Sequence, residues 1–303
     1  MAKVFVSVDG GESHTKVKSF RTETEGGVEF KFATKITPDW DFKDDMFERG
    51  TFLAQIDDGP IYKVGSDGKQ SADMETSKKS EVHKVCIMAA VAYACGHGAD
   101  NEVSIAVGLP LQSCSIPEER ISFKEYVLGE LGIQHVVKIK STATSEVIAV
   151  GFKFVEEKVY PEGIGVIYEH PEEFSGPTGI IDIGGLNLNG LYVNGFVPYA
   201  ENCFTDEAGG KSLIATLAQQ LTSELGTRCD AHMVEYALNQ PYESRYLVSQ
   251  SQNKELEKRS KEIINSSLLE HVRNIKSKCD FHHWSMEFMK LICIGGTSRL
   301  LAK

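Results

Sequence analysis

Positive charge is scarce in this 303-residue chain: 32 Lys and Arg stand against 43 Asp and Glu, a formal charge of −11. Such an acidic balance argues against a direct grip on nucleic acid, which needs clustered basic side chains to meet phosphates. Nucleic acid carried through a basic partner remains compatible. Long apolar runs are missing too. The longest, Val85 to Ala94, is far below the roughly 20 residues needed to span a bilayer, so no membrane association is expected. The opening Met1-Ala2-Lys3-Val4-Phe5-Val6 reaches Asp9 too soon to build a signal-peptide core. Seven cysteines are scattered with no CxxC, which fits reduced thiols in the cytoplasm rather than a secreted disulfide framework. Neither Gly-x-x-x-x-Gly-Lys-Ser/Thr nor Gly-x-Gly-x-x-Gly occurs, so the two commonest nucleotide loops are absent.

What is present reads as alternating strands and helices. Val4 to Val8 is an apolar strand running into Asp9-Gly10-Gly11, and Lys16 to Phe20 alternates as its returning partner. Short strands follow at Val28 to Phe32, Phe52 to Ile56 and Ile61 to Gly65. Glu81 to Cys95 reads as a helix, capped by Ser80 and closed by Gly96. Val103 to Val107 is a strand, Pro117 to Leu131 a charged helix, Val136 to Ile139 a strand and Ser145 to Phe154 a helix. A Pro- and Gly-rich loop, Tyr160 to Pro177, then divides the chain into expected domains 1–160 and 161–303. The opening pattern recurs after it: Thr178 to Ile181 leads into Asp182-Ile183-Gly184-Gly185, and Leu191 to Val193 returns. Gly210 to Leu225 and Asn253 to Lys278 read as long helices, the second a solvated charge run. A last strand, Leu291 to Ile294, ends at Gly295-Gly296-Thr297-Ser298.

Three glycine turns therefore follow buried strands. A Gly-containing hairpin tip can turn backbone N–H groups outward as a nest for phosphate oxygens. A carboxylate at the strand end can hold Mg²⁺ through its waters, as Asp9 and Asp182 would. Ser13 and Lys16 would add a hydroxyl and a positive charge. Either hairpin alone is an ordinary type I′ turn; the pair opening two halves, with a third Gly-Gly after the final strand, is the informative pattern. Cys279 with His282 and His283 lacks a second cysteine pair and reads as a helix end, and Trp40 and Trp284 read as structural.

In this order the motifs resemble the actin, Hsp70 and sugar-kinase superfamily, and more closely the bacterial ParM-like plasmid-segregation proteins. Asp9-Gly10-Gly11-Glu12-Ser13-His14-Thr15-Lys16 matches the first phosphate motif, and Val107 to Leu111 resembles a strand-end "GLPL" segment. Asp182-Ile183-Gly184-Gly185 fits the second phosphate motif, with Asn187 at a phosphate-contacting position. Gly209-Gly210 lies where the adenosine-side helix begins, and Gly295, Gly296 and Thr297 fit the adenosine turn. Glu146 resembles the leading Glu of a connecting helix that polarises the attacking water. The resemblance implies an α/β, ribonuclease H-like pair of related domains with mixed sheets, flanking helices and a nucleotide cleft between them. It also implies a Mg²⁺-dependent ATPase (ATP or GTP) that assembles with itself into filaments and reaches plasmid DNA only through a DNA-binding adaptor.

Two departures qualify this reading. Asn187 replaces the usual Thr and Asn189 the usual second Asp of the second phosphate motif, which predicts slow hydrolysis. The chain also stops seven residues after Gly296, without the C-terminal strand and helix expected of the family. A small-molecule kinase on the same fold and a nucleotide-binding regulator with little hydrolysis are the competing functions.

Overall fold

The computed structural model describes residues 2–22, 26–44, 46–71, 78–141, 146–247 and 253–301. The chain divides into two compact units, Met1–Glu162 and Gly163–Lys303.

In the first unit the chain forms β1 (Ala2–Gly10), β2 (His14–Arg21), β3 (Glu29–Ala33), β4 (Lys35–Thr37), β5 (Thr51–Ile56), β6 (Ile61–Gly65) and β7 (Gln70–Ser71). There follow α1 (Glu81–Cys95), β8 (Asn101–Leu109), α2 (Leu111–Ser115), α3 (Pro117–Val127), β9 (Gln134–Ser141) and β10 (Ile148–Pro161). Ten strands share one sheet in the order β3-β2-β1-β8-β10-β9-β5-β6-β4-β7. Its centre is parallel, β1 beside β8 and β8 beside β10, while β2 and β9 flank that centre antiparallel. In strand β8, Asn101, Val103, Ile105, Val107 and Leu109 are buried in alternation, the period of a pleated strand. Helix α1 is buried almost all round its surface, as expected of a helix apolar on every side. Its Ser80 cap accepts from the His83 amide and Gly96 ends it.

One expected helix is a strand. Ser145 lies outside the described residues, and from Ile148 the segment extends as β10. Val150, Phe152 and Phe154 are buried while Lys153 and Val155 are not. That is period two, carried by β-branched and aromatic residues that favour strands. Gly151 lets the strand edge close on Gly98, whose carbonyl accepts from the Gly151 amide at 2.8 Å. Helix α3 also ends four residues earlier than expected, at Val127 rather than Leu131.

The second unit contains α4 (Gly165–Glu169), β11 (Pro177–Ile183), β12 (Leu188–Asn194), β13 (Val197–Pro198) and β14 (Phe204–Asp206). It continues with α5 (Gly210–Leu225), α6 (Ala231–Leu238), α7 (Lys254–Phe281), β15 (Lys290–Ile294) and α8 (Ser298–Leu301). Its sheet runs β13-β12-β11-β15, with β14 paired to β12. Leu213, Leu217 and Leu221, spaced by four along α5, pack with Val234 and Leu238 of α6 and Ile264 and Leu268 of α7. Farther along α7, Ile275 and Cys279 cover Ile181, Ile183 and Leu188 of the sheet, with Trp284 closing that core. The Trp284 indole donates to the Asn202 carbonyl at 2.6 Å, and the His282 ring stacks on Phe204. Helix α6 is the one element of this unit longer than a turn or two that the sequence reading leaves unassigned.

Phe152 is fully buried beside Phe154, ring centroids 5.4 Å apart. Replacing Phe152 with Ala should therefore cost about 3–5 kcal/mol of stability. Denaturant unfolding measures this, and a loss below about 1 kcal/mol would place that ring outside the core.

Candidate functional site

Strands β1, β8 and β10 run parallel, so their carboxyl ends reach one rim of the sheet, the usual place for ligands in parallel sheets. Val8 is level with Val107, and Val107 with Val159. The rim therefore carries Asp9 from β1, Gly108 from β8 and Glu162 just past β10. The Glu162 amide donates to the Leu109 carbonyl at 2.8 Å, which fixes that corner. A Cβ placed on Gly108 would lie 3.6 Å from Glu162 Cγ and 3.9 Å from Asp9 Oδ1.

The hairpin after β1 leaves Gly11, Glu12 and Ser13 outside the ladder, since Gly10 pairs with Thr15. Its tip is tied down by Thr34. That hydroxyl donates to the Gly11 carbonyl at 2.6 Å, and the Thr34 amide donates to the Ser13 carbonyl at 3.1 Å. Lys16, directly opposite Asp9 in the ladder, places Nζ 2.9 Å from Asp9 Oδ2.

Sequence reasoning missed three residues here, Lys78, His83 and Glu162. Lys78 is buried and directs Nζ to the Gly108 carbonyl at 3.2 Å, to Asp9 Oδ1 at 3.8 Å and to Glu162 Oε1. Burial opposes charge on both Asp9 and Lys78, yet their mutual attraction prevails. Lys78 and Lys16 hold the Asp9 carboxyl below its ordinary value, and Glu162 and Asp9 hold the Lys78 ammonium above its own. Beneath the hairpin, the fully buried His83 of α1 lies 3.7 Å from where a Cβ on Gly10 would sit. Burial, then the Lys78 charge, pushes its pKa down to about 3.

Glu146, expected on a connecting helix, is exposed on a bend before β10. Phe152 is level with Asn101 at the opposite rim from Asp9, because β10 runs parallel to β8. At about 3.3 Å per residue, Glu146 is more than roughly 25 Å from Asp9 along the strands. The carboxylate that the fold brings beside Asp9 is Glu162. The signal in the sequence is a period-two run ending in Pro161-Glu162, immediately before a glycine.

In the second unit the remaining candidate segments converge. Asp182 ends the central part of β11, opposite Asn189 on the same face of the ladder. The Gly184 amide donates to the Asn187 carbonyl at 2.9 Å, closing the hairpin. The amides of Gly209, Gly210 and Lys211 donate to the carbonyls of Leu186, Gly184 and Gly185 respectively, so the start of α5 is docked on the hairpin. Thr297 joins both: its amide donates to Ile183 at 3.1 Å and its hydroxyl to the Gly184 carbonyl at 2.9 Å. Gly210 permits this approach, because a side chain there would collide with Thr297. Gly295 has φ +89° and faces Asp182 Oδ1 and the Ile183 carbonyl, so it needs glycine for both conformation and space. Gly296 has open space around it. Asn189 is buried and accepts from the Thr205 hydroxyl at 2.9 Å, which ties β12 to β14.

Each hairpin thus offers one strand-end carboxylate beside glycine backbone. Among the described residues, no group of three or more His, Cys, Asp or Glu side chains is placed to hold a metal ion.

His83 must be neutral in the folded unit and takes up a proton near its ordinary pKa when unfolded. The unfolded state then binds more protons between about pH 6.5 and pH 3, so stability falls as pH drops through that window. The expected slope is about 1.4 kcal/mol per pH unit. Denaturant melts between pH 7 and pH 4.5 should show it, and His83→Leu should remove it; an unchanged slope in that variant would assign the effect elsewhere.

The sequence matches the family described as actin like proteins N terminal domain over residues 7–165. No curated protein shows a significant sequence match. The fold is similar to Ta0583, an archaeal actin homolog, at TM-score 0.76 and 19% identity, covering 98% of this chain and 88% of that one. The Alp12 filament structure superposes at TM-score 0.68 and 21% identity, covering 99% and 88%. A non-polymerisable quadruple mutant of pCBH ParM does so at 0.67 and 16%, covering 99% and 90%. With the family match extending over more than half of the sequence, and the same architecture in both units, the chain belongs to the actin-like proteins.

Proposed function

We infer that this chain is a Mg²⁺-dependent ATPase whose nucleotide state drives its assembly into filaments, in the manner of ParM-like plasmid-segregation proteins. The observation that carries the reading is the rim cluster of Asp9, Lys78, Glu162 and Gly108 behind a glycine hairpin. The Asp182 hairpin packed on Gly295 and Thr297 supports it from the second unit. The Asp9 and Asp182 hairpins take the phosphates, with Gly10, Gly11, Ser13, Lys16, Gly184, Gly185 and Asn187 lining them. Gly295, Gly296 and Thr297 take the adenosine, while Gly209 and Gly210 hold the second hairpin in place. A crystal structure of Ta0583 is described as a complex with ADP, and Alp12 as a filament.

Bound Mg²⁺ supplies positive charge to the phosphates and ordered water around them. Glu162, rather than Glu146, is the carboxylate that orients the attacking water, since phosphoryl transfer depends on positioning beside the phosphates. Turnover is slow, because Asn189 is uncharged and committed to Thr205. The formal charge of −11 leaves DNA to a basic adaptor. The seven cysteines are free thiols, and no helix among the described residues is long and apolar enough to cross a membrane. Both are consistent with a cytoplasmic protein.

Light scattering and pelleting with ATP, GTP or no nucleotide, alongside phosphate release, test the reading. Assembly should require nucleotide, and Glu162→Gln should slow phosphate release by about a hundredfold or more while filaments still form. Glu146→Gln should leave the rate unchanged. Phosphate release stimulated by a small-molecule acceptor, without assembly, would identify a kinase instead.

A further inference from the structure

An arginine is rarely buried without a carboxylate beside it, because its guanidinium surrenders its hydration on leaving water. Arg245, in the stretch between α6 and α7 and outside both glycine hairpins, is only 6% exposed. Its Nε donates to the Gln240 carbonyl at 3.2 Å, and its Nη1 donates to the Leu300 carbonyl at 2.7 Å. Its Cζ lies 5.9 Å from the centre of the Tyr242 ring. Backbone carbonyls and a ring face thus stand where a carboxylate is usual.

The two carbonyls belong to different elements. Gln240 follows α6, while Leu300 lies in α8, three residues past Thr297. Helix α8 spans only four residues, too few to keep its shape by its own hydrogen bonds, and its last carbonyls have no partner within the helix. Arg245 satisfies one of them. The Leu300 amide donates to the Thr297 carbonyl at 2.9 Å, and Leu300 and Leu301 pack on the core of α5, α6 and α7. Beyond Arg245, the Leu247 amide donates to Ser260 Oγ at 3.0 Å, and that buried hydroxyl of α7 donates to the Glu257 carbonyl. The turn at residues 295–297 is therefore held from two sides. Thr297 ties it to the Asp182 hairpin, and Arg245 ties it, through α8, to the helices. Between these ties Gly296 has open space around it.

From this arrangement we propose that Arg245 is a positioning residue for the adenosine turn, setting affinity for the nucleoside end of the ligand and not for its phosphate end. The proposal rests on the nucleotide reading above. The Asp182 hairpin is closed by its own Gly184 amide and docked on the start of α5, and none of those bonds involves Arg245. Without the guanidinium, the Leu300 carbonyl loses its donor and the turn keeps only its Thr297 side. Such coupling is reciprocal, so a nucleoside seated on the turn steadies residues 240–247 in return.

Titration calorimetry of the full chain with ADP and with inorganic pyrophosphate, Mg²⁺ present in both, separates the two ends of the ligand. Arg245→Met should weaken ADP binding about tenfold and pyrophosphate binding by less than about twofold. Arg245→Lys keeps the charge without the planar fork and should fall between. The ratio of the two affinities is the readout, since a merely structural role would weaken both alike. Hydrogen exchange supplies a second: ADP should slow it over residues 240–247, pyrophosphate should not, and Arg245→Met should abolish the slowing. If Arg245→Met gives no cooperative melt, Arg245→Lys decides, with an expected ADP loss of at least about threefold at unchanged pyrophosphate affinity. If pyrophosphate does not bind measurably, exchange decides, and the absence of slowing by ADP overturns the proposal. Unchanged ADP affinity in the variants, or ADP and pyrophosphate weakened alike, overturns it and leaves the nucleotide reading standing. No ADP binding by the unsubstituted chain overturns both.

Discussion

The parallel pairing of β1, β8 and β10 is the constraint on which the first unit depends. Parallel strands need crossover connections, and α1 and the α2–α3 segment supply them. Crossovers of this kind lay helices on the sheet, which explains why α1 is apolar almost all round, while the central strand β8 buries alternate residues. The same pairing sends three strand ends to one edge, where buried backbone gives way to polar side chains. The carboxylates, the lysine and the glycine hairpin are consequences of strand direction before they are consequences of chemistry.

The second unit reaches a comparable arrangement by different means. Its hairpin is held from behind by three successive amides at the start of α5 and by Thr297. Those helix N–H groups are satisfied by carbonyls of the hairpin, which settles a helix end that carries no side-chain cap. The glycines there serve mainly to let backbone meet backbone. Asp182 is held by that docked backbone, while the hairpin of the first unit is braced by one threonine and by ion pairs centred on the buried Lys78.

Much of this was legible in the sequence. Helix α1 was readable because cap, apolar run and terminal glycine agree, and the two Asp-Gly hairpins because apolar runs precede them. The start of β10 reads as a helix because Glu146 to Gly151, the bend before the strand and its first four residues, show no clear alternation; it becomes plain only through Phe152 and Phe154. Pro161-Glu162 then lay inside what read as a loop. Lys78 carries no local signal at all. A lysine followed by a lysine and a serine reads as surface, and only the tertiary fold turns one of them inward. Asn189 reads only as a departure from the second phosphate motif; its place opposite Asp182 and its bond to Thr205 come from the fold, the latter through β14, a three-residue strand too short to leave a pattern.

The chain has two tryptophans, and each unit holds one. Trp284 is enclosed against the sheet of the second unit, its indole committed to a carbonyl. Trp40, in the first, lies under the Lys63 ammonium, 3.7 Å from the ring centroid, and donates to Asp44. The two indoles sit in unlike electrostatic surroundings, one beside a cation and one in an apolar core. The molecule thereby carries an optical label in each half, and with either indole replaced, the melting of one half becomes visible apart from the other.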